Sequence, residues 1–141
     1  MKIEEYLTTL PESIMSGQDV QLPDKTFQEI FKFAKLGKND IFYHLGCGNG
    51  RGLVVAREEF DVKKVIGIDN DKKKTDSAEE LWLEKDKFGV NIICDDILNA
   101  SFDDADVILF WFMDENIIEK MMPKFSKLKQ DTRIITICEY F

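Results

Sequence analysis

The chain has 141 residues and a formal charge of −8, with 19 Lys and Arg against 27 Asp and Glu. That length is read as a single domain over residues 1–141 with room for a full core, and an apolar fraction of 44% excludes a disordered chain. An acidic surface repels phosphate backbones, so nucleic acid is not the expected partner.

In chain order, the first twenty-odd residues read as a loosely helical lead-in broken by Pro11 and Pro23. Asp24 is a suitable N-cap for a helix marked by Phe27, Ile30, Phe31 and Ala34, with Gly37 as its stop. IFYHLG, residues 41–46, is a short run of β-formers ending in glycine, and a helix follows from Arg51 to Phe60. KVIGID, residues 64–69, is a second buried strand. Asp71 then caps a helix carrying Ala78, Leu81 and Trp82, closed by Gly89. NIIC (91–94), VILFWF (107–112) and RIITIC (133–138) are three further strands, with a helix from Glu115 to Leu128 that Pro123 should break. Continuous apolar strands alternating with helices predict an α/β fold, a doubly wound and mostly parallel sheet covered on both faces.

The longest apolar run, Val107 to Met113, is about a third of a membrane span. The opening MKIEEYLTTLPES has early acids and no apolar core, so it is not read as a signal peptide. A soluble cytoplasmic domain without membrane association is the expectation. Cys47, Cys94 and Cys138 form no CxxC pair, and His44 is the single histidine, so neither disulfides nor a metal site is expected. Cys94 and Cys138 read as buried thiols that serve as small apolar residues.

The densest chemistry lies in HLGCGNGRG, residues 44–52. Gly46, Gly48 and Gly50 follow a strand and open a helix, where glycine permits a tight turn and lets a ligand approach the backbone. Asp69 ends the next strand about twenty residues on, where an acid can hold ribose hydroxyls. Asp95 and Asp96 end the third. Ligands of such sheets sit beyond the carboxyl ends of the strands, so three strands bring polar groups to one crevice suited to a nucleoside. Arg51 stands where a dinucleotide fingerprint has its third glycine, and no GK[ST] follows for a phosphate loop.

The GxGxG spacing with an acid after each of the next two strands resembles the class I S-adenosylmethionine-dependent methyltransferases, over roughly residues 20–138. LGCGNGR, GIDND, DDILNASFDDADVILFW and LKQDTRIIT are similar within that superfamily to the small archaeal protein lysine methyltransferases. The resemblance implies S-adenosyl-L-methionine as cofactor and a protein lysine as methyl acceptor. It implies that Gly46, Cys47, Gly48 and Gly50 border the methionine part, that Asp69 takes the ribose hydroxyls, and that Asp96 and Ile97 hold the adenine. His44 stands where the superfamily has an acid near the cofactor's amino group, and Asn70 where it has an apolar cover for the adenine; both changes predict weaker cofactor binding. Were His44 to face the crevice, Asp there would tighten binding; were it to face the packing, Asp would destabilise the domain.

No [DN]PP[FWY] tetrapeptide follows the fourth strand. Trp111 or Phe112 can instead line a lysine channel by cation–π contact, with core packing as the competing role. A non-catalytic nucleoside-binding module, or an enzyme acting on RNA or a small molecule, stays open beside the lysine reading. The superfamily ends in a β-hairpin beside strand five; this sequence stops just after strand five and is read either as a naturally shortened five-stranded core or as a truncated one. A bare strand-five edge ending in Tyr140 and Phe141 is a candidate for homodimer pairing.

Overall fold

A computed structural model describes residues 22–83, 85, 88–112 and 114–136. Among these residues five parallel strands form one sheet in the order β3-β2-β1-β4-β5: β1 Ile41–Leu45, β2 Lys64–Asp69, β3 Val90–Cys94, β4 Val107–Phe110 and β5 Arg133–Thr136. The chain runs outward from β1 to β3, then crosses back to lay β4 on the other side of β1. That reversal between β1 and β4 opens a crevice at the carboxyl ends of the strands.

Among the described residues four helices cover the sheet: α1 Asp24–Phe33, α2 Arg51–Glu59, α3 Lys72–Leu81 and α4 Glu115–Ser126. One apolar cluster joins Phe27, Ile30 and Phe31 of α1 and Leu53 to Ala56 of α2 to Phe42, Val65, Val107 and Leu109 on one sheet face. Tyr43, Leu45, Ile66, Ile68, Ile108 and Phe110 point the other way, onto Phe102 and Met121 of α4. Alternate residues of β1 and β4 therefore go to opposite layers, as the period of two requires. Each fully buried Phe, Ile or Leu in these layers contributes about 1.5–3 kcal/mol.

The structure departs from the sequence reading at several element ends. Pro23 takes the N-cap position of α1, and Asp24 lies in its first turn, turned to Arg51 at 2.7 and 2.6 Å. The helix ends at Phe33 and is capped by Ala34, one residue before the left-handed Lys35 (φ 55°), so Gly37 is not its stop. Asp71 does cap α3, accepting from the N–H groups of Lys73 and Lys74. That helix ends at Leu81, however, and Gly89 (φ 79°) turns the chain into β3. Residue α4 Pro123 removes one helical N–H, yet the helix runs one turn further. β4 stops at Phe110 because its partner β1 ends at Leu45, leaving Trp111 and Phe112 beyond the ladder. Cys94 is exposed, since β3 is an edge strand; Cys47 is buried. β5 forms the opposite edge, while Cys138, Tyr140, Phe141 and the lead-in lie outside the described residues.

Candidate active site

The turn after β1 is fixed by β2. Gly46 and Cys47 both donate to the Ile68 carbonyl, at 2.7 and 3.1 Å, and Gly48 N–H donates to Asp69 Oδ2 at 2.9 Å. Gly46 has φ 82°, and a Cβ there would come within 2.9 Å of the Phe112 ring, so glycine lets that ring lie against the backbone. Gly50, at φ 86°, approaches α3 instead: a Cβ would meet Ala78 at 2.9 Å. Its role is to bring the start of α2 against α3.

Beyond the strand ends lies a cavity of about 420 Å³, within the range that takes a cofactor-sized ligand. Eleven of the twelve residues singled out in the sequence line it: His44, Gly46, Cys47, Gly48, Asp69, Asn70, Asp95, Asp96, Ile97, Trp111 and Phe112. Gly50 does not. Sequence reasoning did not include Leu22, Phe27, Lys74, Leu98 and Ile117, which also line it. They arrive from neighbouring helices and loops and carry no local motif.

Asp69 Oδ1 accepts from Asp71 N–H at 2.9 Å while Oδ2 holds Gly48, so two backbone amides orient the carboxylate. Each oxygen retains a lone pair for a ligand. Asp96 Oδ1 accepts from Leu98 N–H at 2.9 Å, an Asx turn that aims the acid from the end of β3. Cys47 is an apolar neighbour to these groups, since burial, with Asp69 nearby, pushes its thiol up to about 12.

His44 is buried, with its ring edge-on to Phe27 at 5.8 Å and tilted over Phe42 at 6.3 Å. Nδ1 has no hydrogen-bond partner; it is turned to Gly52, whose Cβ, if present, would sit 3.0 Å away. Backbone groups therefore do not satisfy this ring. Burial draws its pKa down to about 4, so the imidazole is neutral at pH 7. Trp111 is half-buried against the α1–α2 layer, with its Nε1 also buried and unpartnered. Phe112 stacks on Phe110 with ring centres 5.0 Å apart. One end of the cavity is thus acidic, and the other is apolar and aromatic.

A family model described as methyltransferase domain matches residues 42–129. A protein-lysine N-methyltransferase of Saccharolobus islandicus is 31% identical over 119 residues, covering 83% of this chain and 73% of that one. A carboxy-S-adenosyl-L-methionine synthase of Haemophilus ducreyi is 26% identical over 106 residues, 73% of this chain and 41% of that one. Among solved structures, an RNA methyltransferase of Salinibacter ruber in complex with S-adenosyl-L-homocysteine superposes with a TM-score of 0.72 at 21% identity, over 83% of this chain and 76% of that one; at that identity the likeness speaks for the fold. The chain belongs to the methyltransferase domain family. It is a class I S-adenosyl-L-methionine-dependent methyltransferase. The cavity suits that cofactor: the open space over Gly48 admits a ligand to the backbone, and the acidic wall favours a positive sulfonium. Among the described residues no helix is long and apolar enough to cross a membrane.

Proposed function

We propose that this enzyme methylates a lysine side chain of a protein, using the cavity at the carboxyl ends of β1, β2 and β3 for the cofactor and its aromatic end for the acceptor. The observation that carries the reading is one cavity lined by Asp69, Asp95 and Asp96 from the ends of β2 and β3 and by the rings of Trp111 and Phe112 that follow β4. The resemblance to a relative described as a protein-lysine N-methyltransferase supports the same acceptor. A lysine has an apolar stem and a cationic head, and both suit aromatic walls.

In this reading Asp69 accepts from the ribose hydroxyls on the lone pairs that Gly48 and Asp71 leave free. Asp96 accepts from the adenine amino group on its unused Oδ2, with Ile97 against the ring and Asn70 at the exposed mouth. Gly46, Cys47 and Gly48 border the methionine part. Neutral His44 presents an acceptor rather than a like charge to the cofactor's ammonium. Gly50 contributes through the placement of α2. S-adenosyl-L-methionine supplies an electrophilic methyl group on a sulfonium. Trp111 and Phe112 hold the acceptor amine in line with that group while water is kept out, which is most of what a displacement requires. The lysine ammonium would first give a proton to solvent, since only the neutral amine has the lone pair that can take the methyl group.

Transfer of tritiated methyl from S-adenosyl-L-methionine into lysine-rich protein, into RNA and into small amines tests the assignment. Label in protein lysines is expected. Label confined to RNA or to small amines would overturn it.

A further inference from the structure

The chain after β3 makes one helical turn over residues 97–99, with Asn99 and Ala100 donating to the Asp96 carbonyl at 2.9 and 3.0 Å. Side chains close both ends of it. At the start, Asp96 Oδ1 takes the Leu98 N–H. At the end, Lys124 Nζ of α4 donates to the carbonyls of Ile97, Leu98 and Ala100 at 3.2, 3.0 and 2.5 Å. An ammonium has three N–H donors, so all are committed to this turn. The same Nζ lies 5.0 Å from the centre of the Phe102 ring. A carboxylate at the amino end and a cation at the carboxyl end satisfy the orphan groups of a helical turn and match its dipole.

The turn that Lys124 closes begins with Asp96 and Ile97, both on the cavity wall. Ile117, two turns earlier on α4, also lines the cavity and packs in the same apolar layer as Ile97. The geometry points to Lys124 as a positioning residue that fixes the nucleoside wall of the cavity and ties it to α4. The inference rests on Asp96 and Ile97 contacting the nucleoside. Without the ammonium, the carbonyls of residues 97, 98 and 100 turn to water and the turn frays. Ordering of Asp96 and Ile97 is then deferred to the moment of binding, which weakens affinity.

Lys129 provides the matched control. Its Nζ binds Asp106 Oδ1 at 2.6 Å and the Asp104 carbonyl at 3.5 Å, beside the amino ends of β1 and β4. Calorimetric titration with S-adenosyl-L-homocysteine and with adenosine is made on the wild type, Lys124→Met, Lys124→Arg and Lys129→Met, together with melting curves. Lys124→Met should bind both ligands about ten-fold more weakly, because both share the nucleoside. Lys129→Met should lose thermal stability and keep its affinity, and Lys124→Arg should recover part of the loss. If Lys124→Met does not fold, Lys124→Gln, which keeps two donors, should show an intermediate loss. Wild-type affinity in the Lys124 variants, or an equal loss in Lys129→Met, overturns the positioning role alone. Failure of the wild type to bind either ligand overturns the cofactor-site reading, and the positioning role with it.

Discussion

The two ends of the sheet use aspartate in opposite ways. At the amino ends of the strands, Asp40 holds Arg133 at 2.6 Å, and Asp106 holds Lys129 at 2.6 Å while accepting the Ile41 N–H at 2.7 Å. Arg133 also donates to the carbonyls of Ala34 and Lys35, which clips the end of α1 to β5. At the carboxyl ends, Asp69 and Asp96 are oriented by the N–H groups of Gly48, Asp71 and Leu98. A backbone amide fixes a carboxylate in place without cancelling its charge. The amino end therefore spends its charges on holding elements together, whereas the carboxyl end keeps negative charge aimed into a cavity. Strand direction alone separates a stabilising end from a chemical one.

His44 gives the largest way to sharpen that contrast. Its folded pKa of about 4 lies below the ordinary 6.5, so the unfolded chain takes up the proton first. The stability it contributes is complete above pH 6.5 and is lost as pH falls toward 4, to a total of about 3 kcal/mol. Urea unfolding of wild type and His44→Leu from pH 7.5 to 4 should show the steeper loss in the wild type. Parallel pH slopes would mean that the ring is not buried neutral. His44→Asp sets a carboxylate against Phe27 and Phe42, so a lowered Tm is expected rather than tighter cofactor binding.

Asp106→Ala comes next. It leaves the Ile41 N–H and the Lys129 ammonium without their acceptor and should cost about 2 kcal/mol, several degrees in Tm, with cofactor affinity unchanged. The inverse pattern is expected of Asp69→Ala, where the dissociation constant for S-adenosyl-L-methionine rises about ten-fold or more. A calorimetric titration in which both variants lose affinity equally would erase the distinction between the two ends. The smallest effect belongs to Lys72→Ala, since the Lys72–Asp76 pair on α3 is open to solvent at 3.1 Å; neither Tm nor affinity should move measurably.

The strands and the glycine turn were legible because their chemistry is local. Apolar runs such as residues 64–69 can only be buried strands here, and Gly46 and Gly48 need positive φ wherever the chain leaves β1. Asp69 and Asp96 were legible for the same reason, each being the polar residue at the end of an apolar run. Helix ends were less so. Asp24 looked like a cap because it follows a proline, but Arg51, 27 residues on, offers it a charged fork that outcompetes its own backbone. Phe27 read as one core position among several in α1, and nothing local tells that its ring reaches the cavity beside His44. Lys124 follows a proline in mid-helix, and its partners lie 24 to 27 residues away. Long-range pairing of that kind leaves no trace in spacing or periodicity.

The placement of the two tryptophans has an optical consequence. Trp82 is buried beneath the end of α3 in the apolar layer, away from the cofactor cavity, whereas the Trp111 indole forms part of that cavity's wall. Emission from Trp82 is then a constant background, and any change in intensity or wavelength when a ligand enters belongs to Trp111. The protein carries its own reporter of that cavity's occupancy.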